Sequence, residues 1–171
     1  MRIAILTGGG DVPGLNPCIK AITLGAIQQG WDVIGFRRGW AGPLEYDPAN
    51  PEASETQILR LTPDSVRTID RTGGTMLHSS RTNPTRMQEL PPVLEGQQFQ
   101  TKQSTRNGVT STLYDVTPAV LKNIETLGLD YVVAIGGDDT LSYAAELDRQ
   151  GMRVIAVPKT MDNDVRNTEY C

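Results

Sequence analysis

The sequence predicts an α/β fold: a doubly wound, mostly parallel sheet inside a three-layer αβα arrangement. The first observation is that short, almost uninterrupted apolar segments, such as RIAILT at 2–7, alternate with segments of helical periodicity. That alternation is typical of parallel strands covered on both faces by helices. The second is that three loops rich in Gly or Asp each follow a predicted strand, which is where such sheets bind ligands. At 171 residues the chain is long enough for one domain with a substantial core.

The first predicted elements form a βαβ unit. Apolar residues predict strands at 2–7 and 31–36. The segment between them, LNPCIKAITLGAIQQG at 15–30, predicts a helix. Asn16 is its predicted N-cap and Gly30 its stop, because Asn favours the position just before a helix and Gly the left-handed conformation that ends one.

The middle of the chain gives weaker signals. Residues 37–57 are rich in Gly, Pro, Asn and Glu and predict a loop. LTPDSVRTID at 61–70 predicts a short helix capped by Thr62, and RTGGTML at 71–77 predicts a short strand. Residues 80–112 are polar and aperiodic, so this segment is predicted to be mobile.

Regular structure is predicted again near the end of the sequence. A helix is expected at 117–128, with Thr117 as its cap, because its apolar residues recur on one face. The strand at 130–135, the helix at 140–151 and the strand at 153–157 then repeat the α/β alternation. This second αβαβ run completes the expected sheet.

Composition excludes several classes of protein. Hydrophobic residues make up 38% of the chain and charged residues 21%, which favours a soluble globular protein. The net charge of −4 argues against nucleic-acid binding through charge alone. The two cysteines, Cys18 and Cys171, are too few for a disulfide framework, and a single histidine, His78, does not make a catalytic triad or a histidine-rich metal site. No segment is long and apolar enough for a membrane span or a signal peptide, so a cytoplasmic location and no membrane partner are expected.

Three loops are expected to converge on one site at the carboxyl ends of the strands. They are TGGGDVPG at 7–14, IGGDDT at 135–140 and PKTMDND at 158–164. Each loop also has a purely structural explanation. The glycines could do no more than form a turn, and Asp138 or Asp139 could do no more than cap a helix. Asp/Asn clusters such as the one in the third loop are common in solvated turns. Together they favour a phosphate site, although the first loop has neither a dinucleotide-binding nor a Walker pattern.

Four motifs resemble the 6-phosphofructokinase family and occur in that family's order. They are GGGDVPGLN at 8–16, GGT…SSR at 73–81, GGDDT at 136–140 and PKTMDND at 158–164. The resemblance implies that residues 1–171 form the donor-binding lobe, which holds pyrophosphate and Mg²⁺. It also implies that the second, sugar-phosphate-binding lobe is missing from this sequence. A remoter resemblance, through GGDDT alone, is to the NAD kinase and diacylglycerol kinase group.

The resemblance also assigns roles to single residues. It implies that donor phosphates contact Gly10, Arg81, Gly137, Asp139 and Thr140. Asp138 matches the Mg²⁺ ligand, and Asp162 matches the base that takes the proton from the sugar 1-hydroxyl. Thr160 and Asp164 match residues beside the sugar phosphate and the reaction centre. These roles suit phosphoryl transfer, which needs positioned phosphates, a cation and a proton acceptor.

Asp139 bears on the choice of donor. In ATP-using members of the family this position is usually glycine, and the combination of Asp139 with Lys159 resembles the pyrophosphate-dependent phosphofructokinases. A carboxylate a few ångströms from a phosphate oxygen costs about 4 kcal/mol at an effective dielectric constant of about 20, which disfavours a nucleotide. The ammonium of Lys159 is expected to neutralise charge on the departing phosphate.

The resemblance therefore implies transfer of a phosphoryl group from pyrophosphate to fructose 6-phosphate, a glycolytic reaction, by a parent protein that forms homo-oligomers. Two alternatives stay open. One is an ATP-dependent phosphofructokinase in which Asp139 points away and only caps a helix. The other is a non-catalytic fragment that binds phosphate compounds without turnover.

Overall fold

The structure is a computed structural model that describes residues 1–106, 108–163, 165 and 169. Short 3₁₀ turns connect several of its elements. In chain order, its strands and α-helices are β1 (Arg2–Thr7), α1 (Leu15–Gln28), β2 (Asp32–Phe36), α2 (Ala41–Glu45), β3 (Ile58–Leu61), β4 (Gln100–Arg106), β5 (Val109–Asp115), α3 (Thr117–Thr126), β6 (Tyr131–Gly136), α4 (Asp138–Arg149) and β7 (Val154–Pro158).

A mostly parallel sheet of five strands forms the centre of the molecule. Its strand order is β3-β2-β1-β6-β7, and only β3, at one edge, is antiparallel to its neighbour. The central strand β1 pairs in parallel with both β2 and β6, so that Ile3 lies between Val33 and Tyr131. The predicted sheet is therefore confirmed.

Both faces of the sheet are covered, as an αβα arrangement requires. Alternate side chains of β1 enter different cores, because successive residues of a strand face opposite ways. Ile3 and Ile5 pack with residues of α1 on one face, whereas Ala4 and Leu6 pack with residues of α2, α3 and α4 on the other. All four side chains are at most 3% exposed, which explains why β1 reads as an uninterrupted apolar segment.

The topology places a crevice between β1 and β6. These neighbouring strands are parallel, but α1, which follows β1, and α4, which follows β6, cover opposite faces of the sheet. The loops that follow β1 and β6 therefore lead to opposite faces of the sheet. Such a switch point is where open α/β sheets bind ligands.

The prediction that Asn16 caps α1 is wrong. The helix begins at Leu15, and Gly14 is the N-cap with a φ of 101°. Asn16 lies inside the helix and is only 3% exposed; its amide donates to the Thr72 carbonyl at 3.1 Å and accepts from the Met76 N–H at 2.8 Å. The side chain thus anchors a distant loop to α1.

Thr117 does not cap α3 either. It is the first residue of the helix, and Val116 is the N-cap. The carboxylate of Asp115 accepts the Thr117 N–H at 3.1 Å, so the preceding acidic residue performs the capping role. At the ends of the helices sequence reasoning does better, because Gly30 has a φ of 75° just after α1, as predicted.

Several predictions for the middle of the chain are also wrong. The 37–57 segment is not wholly a loop, since it contains α2 and a 3₁₀ turn at Ala53–Thr56. The 61–70 segment contains no α-helix: Leu61 ends β3, Thr62 and Ser65 exchange hydrogen bonds of 2.8 and 3.1 Å in a tight turn, and only a short 3₁₀ helix follows at Ile69–Arg71. No strand forms at the described residues 71–77, where Asn16 instead binds the backbone.

The polar segment at 80–112 contains regular secondary structure that its sequence pattern did not predict. Strands β4 and β5 form an antiparallel hairpin in which Gln100 pairs with Asp115 and Arg106 with Val109. The dipeptide Asn-Gly at 107–108 is a strong local signal for such a hairpin. Asn107 itself lies outside the described residues.

Within the described ranges, no helix has the length and apolar character needed to cross a lipid bilayer.

Candidate active site

A cleft of about 430 Å³ lies at the carboxyl ends of β1, β6 and β7. We call it the strand-end cleft. Of the ten predicted site residues, nine line it: Gly10, Arg81, Gly137, Asp138, Asp139, Thr140, Lys159, Thr160 and Asp162. The tenth, Asp164, lies outside the described residues. A larger cleft of about 760 Å³, bordered by Arg2, Asp32 and Arg60, contains none of the predicted residues.

Backbone hydrogen bonds hold the loops of the strand-end cleft together. The Gly8 N–H donates to the Ile135 carbonyl at 2.9 Å, and the Gly9 N–H donates to the Ser80 carbonyl at 3.0 Å. The Lys159 N–H donates to the Gly136 carbonyl, also at 3.0 Å. The segment that carries Arg81 and the three strand-end loops therefore form one connected rim.

Thr140 explains two glycines of this rim. Its buried side chain fills the space that a Cβ atom would need at Gly8 and Gly136, where the nearest threonine atoms would be only 2.3 and 2.5 Å away. The Thr140 carbonyl also accepts a hydrogen bond of 3.1 Å from the indole of Trp40. The residue is thus a packing element of the site as well as part of its lining.

Gly10 has no such internal explanation. A Cβ atom there would meet none of the described residues within 4 Å, whereas Gly9 needs glycine for its φ of 78°. The exposed Gly10 backbone borders the strand-end cleft. Glycine at this position is therefore consistent with close approach of a ligand that the chain itself does not provide.

The amino end of α4 opens into the strand-end cleft without a side-chain cap. Gly137 is the N-cap and makes no side-chain hydrogen bond, so the alternative that Asp138 or Asp139 merely caps this helix is wrong. Both aspartates lie in the first helical turn, where a carboxylate interacts favourably with the helix dipole. Backbone N–H groups at such a helix end are donors for an anion.

Asp139 has two partners that the sequence analysis missed. Its Oδ1 accepts a hydrogen bond from the Arg86 guanidinium, with which it forms an ion pair, and another of 3.2 Å from the amide of Asn83. Asn83 is 8% exposed, and its own oxygen accepts from the Thr85 N–H at 3.1 Å. The charge of Asp139 is therefore partly compensated, which weakens the simple repulsion argument.

The third loop contributes an ammonium group and a carboxylate. Lys159 Nζ donates to the Gly10 carbonyl, so this cation lies against the glycine-rich loop. Thr160 Oγ1 accepts the Asp162 N–H at 3.1 Å and thereby orders the turn that carries the exposed Asp162. The glycine-rich loop and the third loop thus contribute polar groups to the same cleft.

A second cleft of about 680 Å³ lies between the 81–88 segment and the β4–β5 hairpin. We call it the hairpin cleft. It shares Arg81, Thr82 and Asp139 with the strand-end cleft, and Arg86 lines it as well. Its lining residues include no aromatic side chain. The Asp139–Arg86 pair lies where the two clefts meet.

The carboxylates suit a metal ion that arrives with phosphate. Within the described ranges, no group of three or more His, Cys, Asp or Glu side chains could hold a metal ion. Mg²⁺, however, needs only one or two protein carboxylates when phosphate oxygens and water supply its other ligands. Asp138, exposed at the mouth of the cleft, is such a carboxylate.

Comparisons with known proteins agree on one family. The phosphofructokinase family profile matches residues 2–171. The pyrophosphate–fructose 6-phosphate 1-phosphotransferase of Dictyoglomus thermophilum is 39% identical over 170 residues, which are 99% of this chain and 39% of that protein. The ATP-dependent 6-phosphofructokinase 2 of Clostridium perfringens (strain 13 / Type A) is 38% identical over 169 residues, covering 98% of this chain and 40% of its own length.

Structural comparison gives the same fold. The crystal structure of Pichia pastoris phosphofructokinase in the T-state superposes with a TM-score of 0.73 at 21% identity, over 99% of this chain and 15% of that one. The chain spans about two fifths of the length of the curated relatives named above.

Proposed function

Because the chain belongs to the phosphofructokinase family, we propose that it is the donor-binding part of an enzyme that transfers a phosphoryl group from pyrophosphate to the 1-hydroxyl of fructose 6-phosphate. The observation that carries this proposal is the position of Asp139. Its carboxylate lies in the strand-end cleft at the junction with the hairpin cleft, and we infer that a donor longer than pyrophosphate would extend through this junction. The Dictyoglomus thermophilum relative named for the pyrophosphate reaction supports the same choice of donor.

Three groups would hold the donor phosphates. The backbone at Gly10 and the uncapped amino end of α4 offer close approach and N–H donors. The exposed Arg81 has no ion pair among the described residues, so its guanidinium is available for bidentate contact with phosphate oxygens.

Asp138 would hold Mg²⁺ together with the donor phosphates. When bound, the ion supplies positive charge to the oxygens of the transferred phosphoryl group. Lys159, which lies against the glycine-rich loop, would stabilise negative charge on the departing phosphate.

Asp162 would accept the proton of the attacking 1-hydroxyl. It lies on the turn ordered by Thr160, in the same cleft as the donor groups, and an exposed carboxylate there can take up a proton as the new bond forms. We assign Thr160 and Asp164 to the neighbourhood of the sugar phosphate from the sequence resemblance alone.

The rest of the sugar-phosphate site would come from residues outside this sequence. The chain spans about two fifths of its curated relatives, which leaves ample length for a second lobe in a parent protein. We further propose that such a parent is a homo-oligomer.

Calorimetry on the 171-residue chain tests the choice of donor directly. Magnesium pyrophosphate is expected to bind, and magnesium ATP to bind at least ten times more weakly. The matched control is Arg149→Ala, which removes an ion pair with Glu146 at the far end of α4 and should change neither affinity. Tighter binding of magnesium ATP than of magnesium pyrophosphate would contradict the proposal.

A second candidate is an ATP-dependent phosphofructokinase, favoured by the Clostridium perfringens relative at 38% identity. A third is a phosphate-binding fragment without turnover, for which the uncapped amino end of α4 would suffice. Adding fructose 6-phosphate to the chain in the presence of each donor tests the third possibility. Formation of fructose 1,6-bisphosphate from either donor eliminates the non-catalytic reading.

A further inference from the structure

Arg86 connects the two clefts through Asp139. It lines the hairpin cleft, whereas Asp139 lines both, and the guanidinium donates directly to the carboxylate. The two side chains are 54% and 50% exposed, so a ligand or solvent can reach both. The pair therefore lies at the junction of the two clefts, through which a donor longer than pyrophosphate would extend under the proposed function.

Residues of the segment that carries Arg86 hold the Asp139 carboxylate in place. Asn83 donates a second hydrogen bond to the same oxygen, Asp139 Oδ1, at 3.2 Å. Asn83 is itself buried and fixed by Thr85, whose hydroxyl donates to it at 2.8 Å and whose N–H donates at 3.1 Å. These contacts keep the carboxylate against the 83–86 segment and the guanidinium engaged with it.

Guanidinium binds carboxylate and phosphate through the same fork of N–H donors. An arginine that is engaged with Asp139 offers little to a phosphate that extends toward the hairpin cleft. Without Asp139, the same guanidinium would present a cation to that phosphate. The ion pair thus has an effect on donor choice that is separate from repulsion.

We propose that Arg86 is a specificity-determining residue, and that Asp139 excludes nucleotide donors chiefly by occupying Arg86. This inference rests on the proposed pyrophosphate-dependent function. It departs from the repulsion account, in which Asp139 acts by its own charge and Arg86 plays no part. The two accounts differ in what a second substitution at Arg86 does.

A double-mutant cycle separates them. The wild-type chain, Asp139→Ala, Arg86→Ala and the double variant are titrated with magnesium ATP and with magnesium pyrophosphate. Asp139→Ala is expected to raise the affinity for magnesium ATP tenfold or more, because Arg86 is released. Adding Arg86→Ala is expected to reduce that gain to less than threefold, and Arg86→Ala alone is expected to give no gain.

A conservative variant provides a rescue. In the Asp139→Ala background, Arg86→Lys should keep part of the gain, since an ammonium group also attracts phosphate, although as a point charge. A role in packing alone would lower both donor affinities and the melting temperature together, and lysine would not restore ATP binding selectively. Arg149→Ala, on the same helix, controls for the loss of an ion pair as such.

Three results would overturn the inference. Equal gains in Asp139→Ala and the double variant would leave repulsion as the explanation. A gain in Arg86→Ala alone would make the pair a steric barrier. Absence of ATP binding in all four proteins would show that released Arg86 confers no affinity. Failure of the proposed function is distinct, because it would appear as preference for ATP, or no pyrophosphate binding, in the wild-type chain.

Discussion

Two glycines of the loop after β1, Gly8 and Gly10, serve different purposes. Gly8 is required by packing, because Thr140 occupies the place of its missing side chain. Gly10 borders the cleft, and no residue in the described part of the chain fills the space beside it. The same residue type therefore supports folding at one position and, as we propose, donor binding at the other.

Alanine substitutions at these glycines should separate the two effects. Gly10→Ala is expected to weaken magnesium pyrophosphate binding at least tenfold, with a change in unfolding free energy below about 1 kcal/mol. Gly8→Ala is expected to destabilise the fold by about 1–3 kcal/mol through overpacking against Thr140. Chemical denaturation and calorimetry give the two quantities. A Gly10→Ala protein that melts early but binds normally would refute the assignment.

At the scale of elements, α1 is anchored to the 69–76 segment by side chains rather than by a strand. Asn16 bonds the backbone at Thr72 and Met76, and Lys20 forms an ion pair with Asp70. These bonds replace the short strand that sequence reasoning expected there. They also fix the approach to the segment that carries Arg81.

Removing the amide of Asn16 tests this anchor. Asn16→Ala is expected to lower the unfolding free energy by about 1–3 kcal/mol, because the Met76 N–H and the Thr72 carbonyl lose a partner in a part-buried position. The matched control is Gln28→Ala, an exposed amide near the end of the same helix. Equal stability of the two variants in urea denaturation would show that the anchor is dispensable.

The Lys20–Asp70 pair makes a prediction about pH. The hydrogen bond from Lys20 lowers the pKa of Asp70 below its ordinary value. A lowered carboxyl pKa means that the pair stabilises the fold above the ordinary pKa, and that this contribution is lost as the pH falls through the lowered one. Lys20→Met should therefore raise the pKa of Asp70 in an NMR titration. An unchanged titration would show that the pair does not persist in solution.

At the scale of the whole molecule, the sheet has an open edge at β7. Among the described residues this strand pairs only with β6, and Ile155 on it is 50% exposed. An unpaired edge with apolar side chains is a template for association with another strand. The sheet that carries the site therefore also has an edge strand at which chains can associate.

This edge should cause the purified chain to self-associate as its concentration rises. Ile155→Lys is expected to reduce the association several-fold in sedimentation velocity, because a charge on an edge strand opposes pairing. Val109→Lys is the control, since Val109 is 69% exposed but lies on the separate hairpin. Equal effects of both substitutions would attribute the association to apolar exposure in general.

The sequence was most informative where burial alone determines which residues occur. Strands such as β1 and β6 are buried on both faces, so their apolar runs identify them, and parallel neighbours then bring their loops together. Prediction failed where a side chain binds across the fold. Nothing in the local pattern indicates that Asn16 holds a loop 56 residues away, or that Arg86 binds Asp139 across 53 residues. The β4–β5 hairpin differs from these cases, because the Asn-Gly dipeptide at 107–108 indicates it locally.

The packing of Thr140 has a consequence for how this site can change. One side chain fills the space beside Gly8, just after β1, and Gly136, the last residue of β6, so the loop after β1 and the entrance to α4 are packed against the same residue. A bulkier residue at this position would push both backbones outward, and a smaller one would leave a void beneath the strand-end cleft. The proposed donor preference can therefore be changed at the neighbouring residue Asp139, while the packing that Thr140 provides beneath it admits little variation.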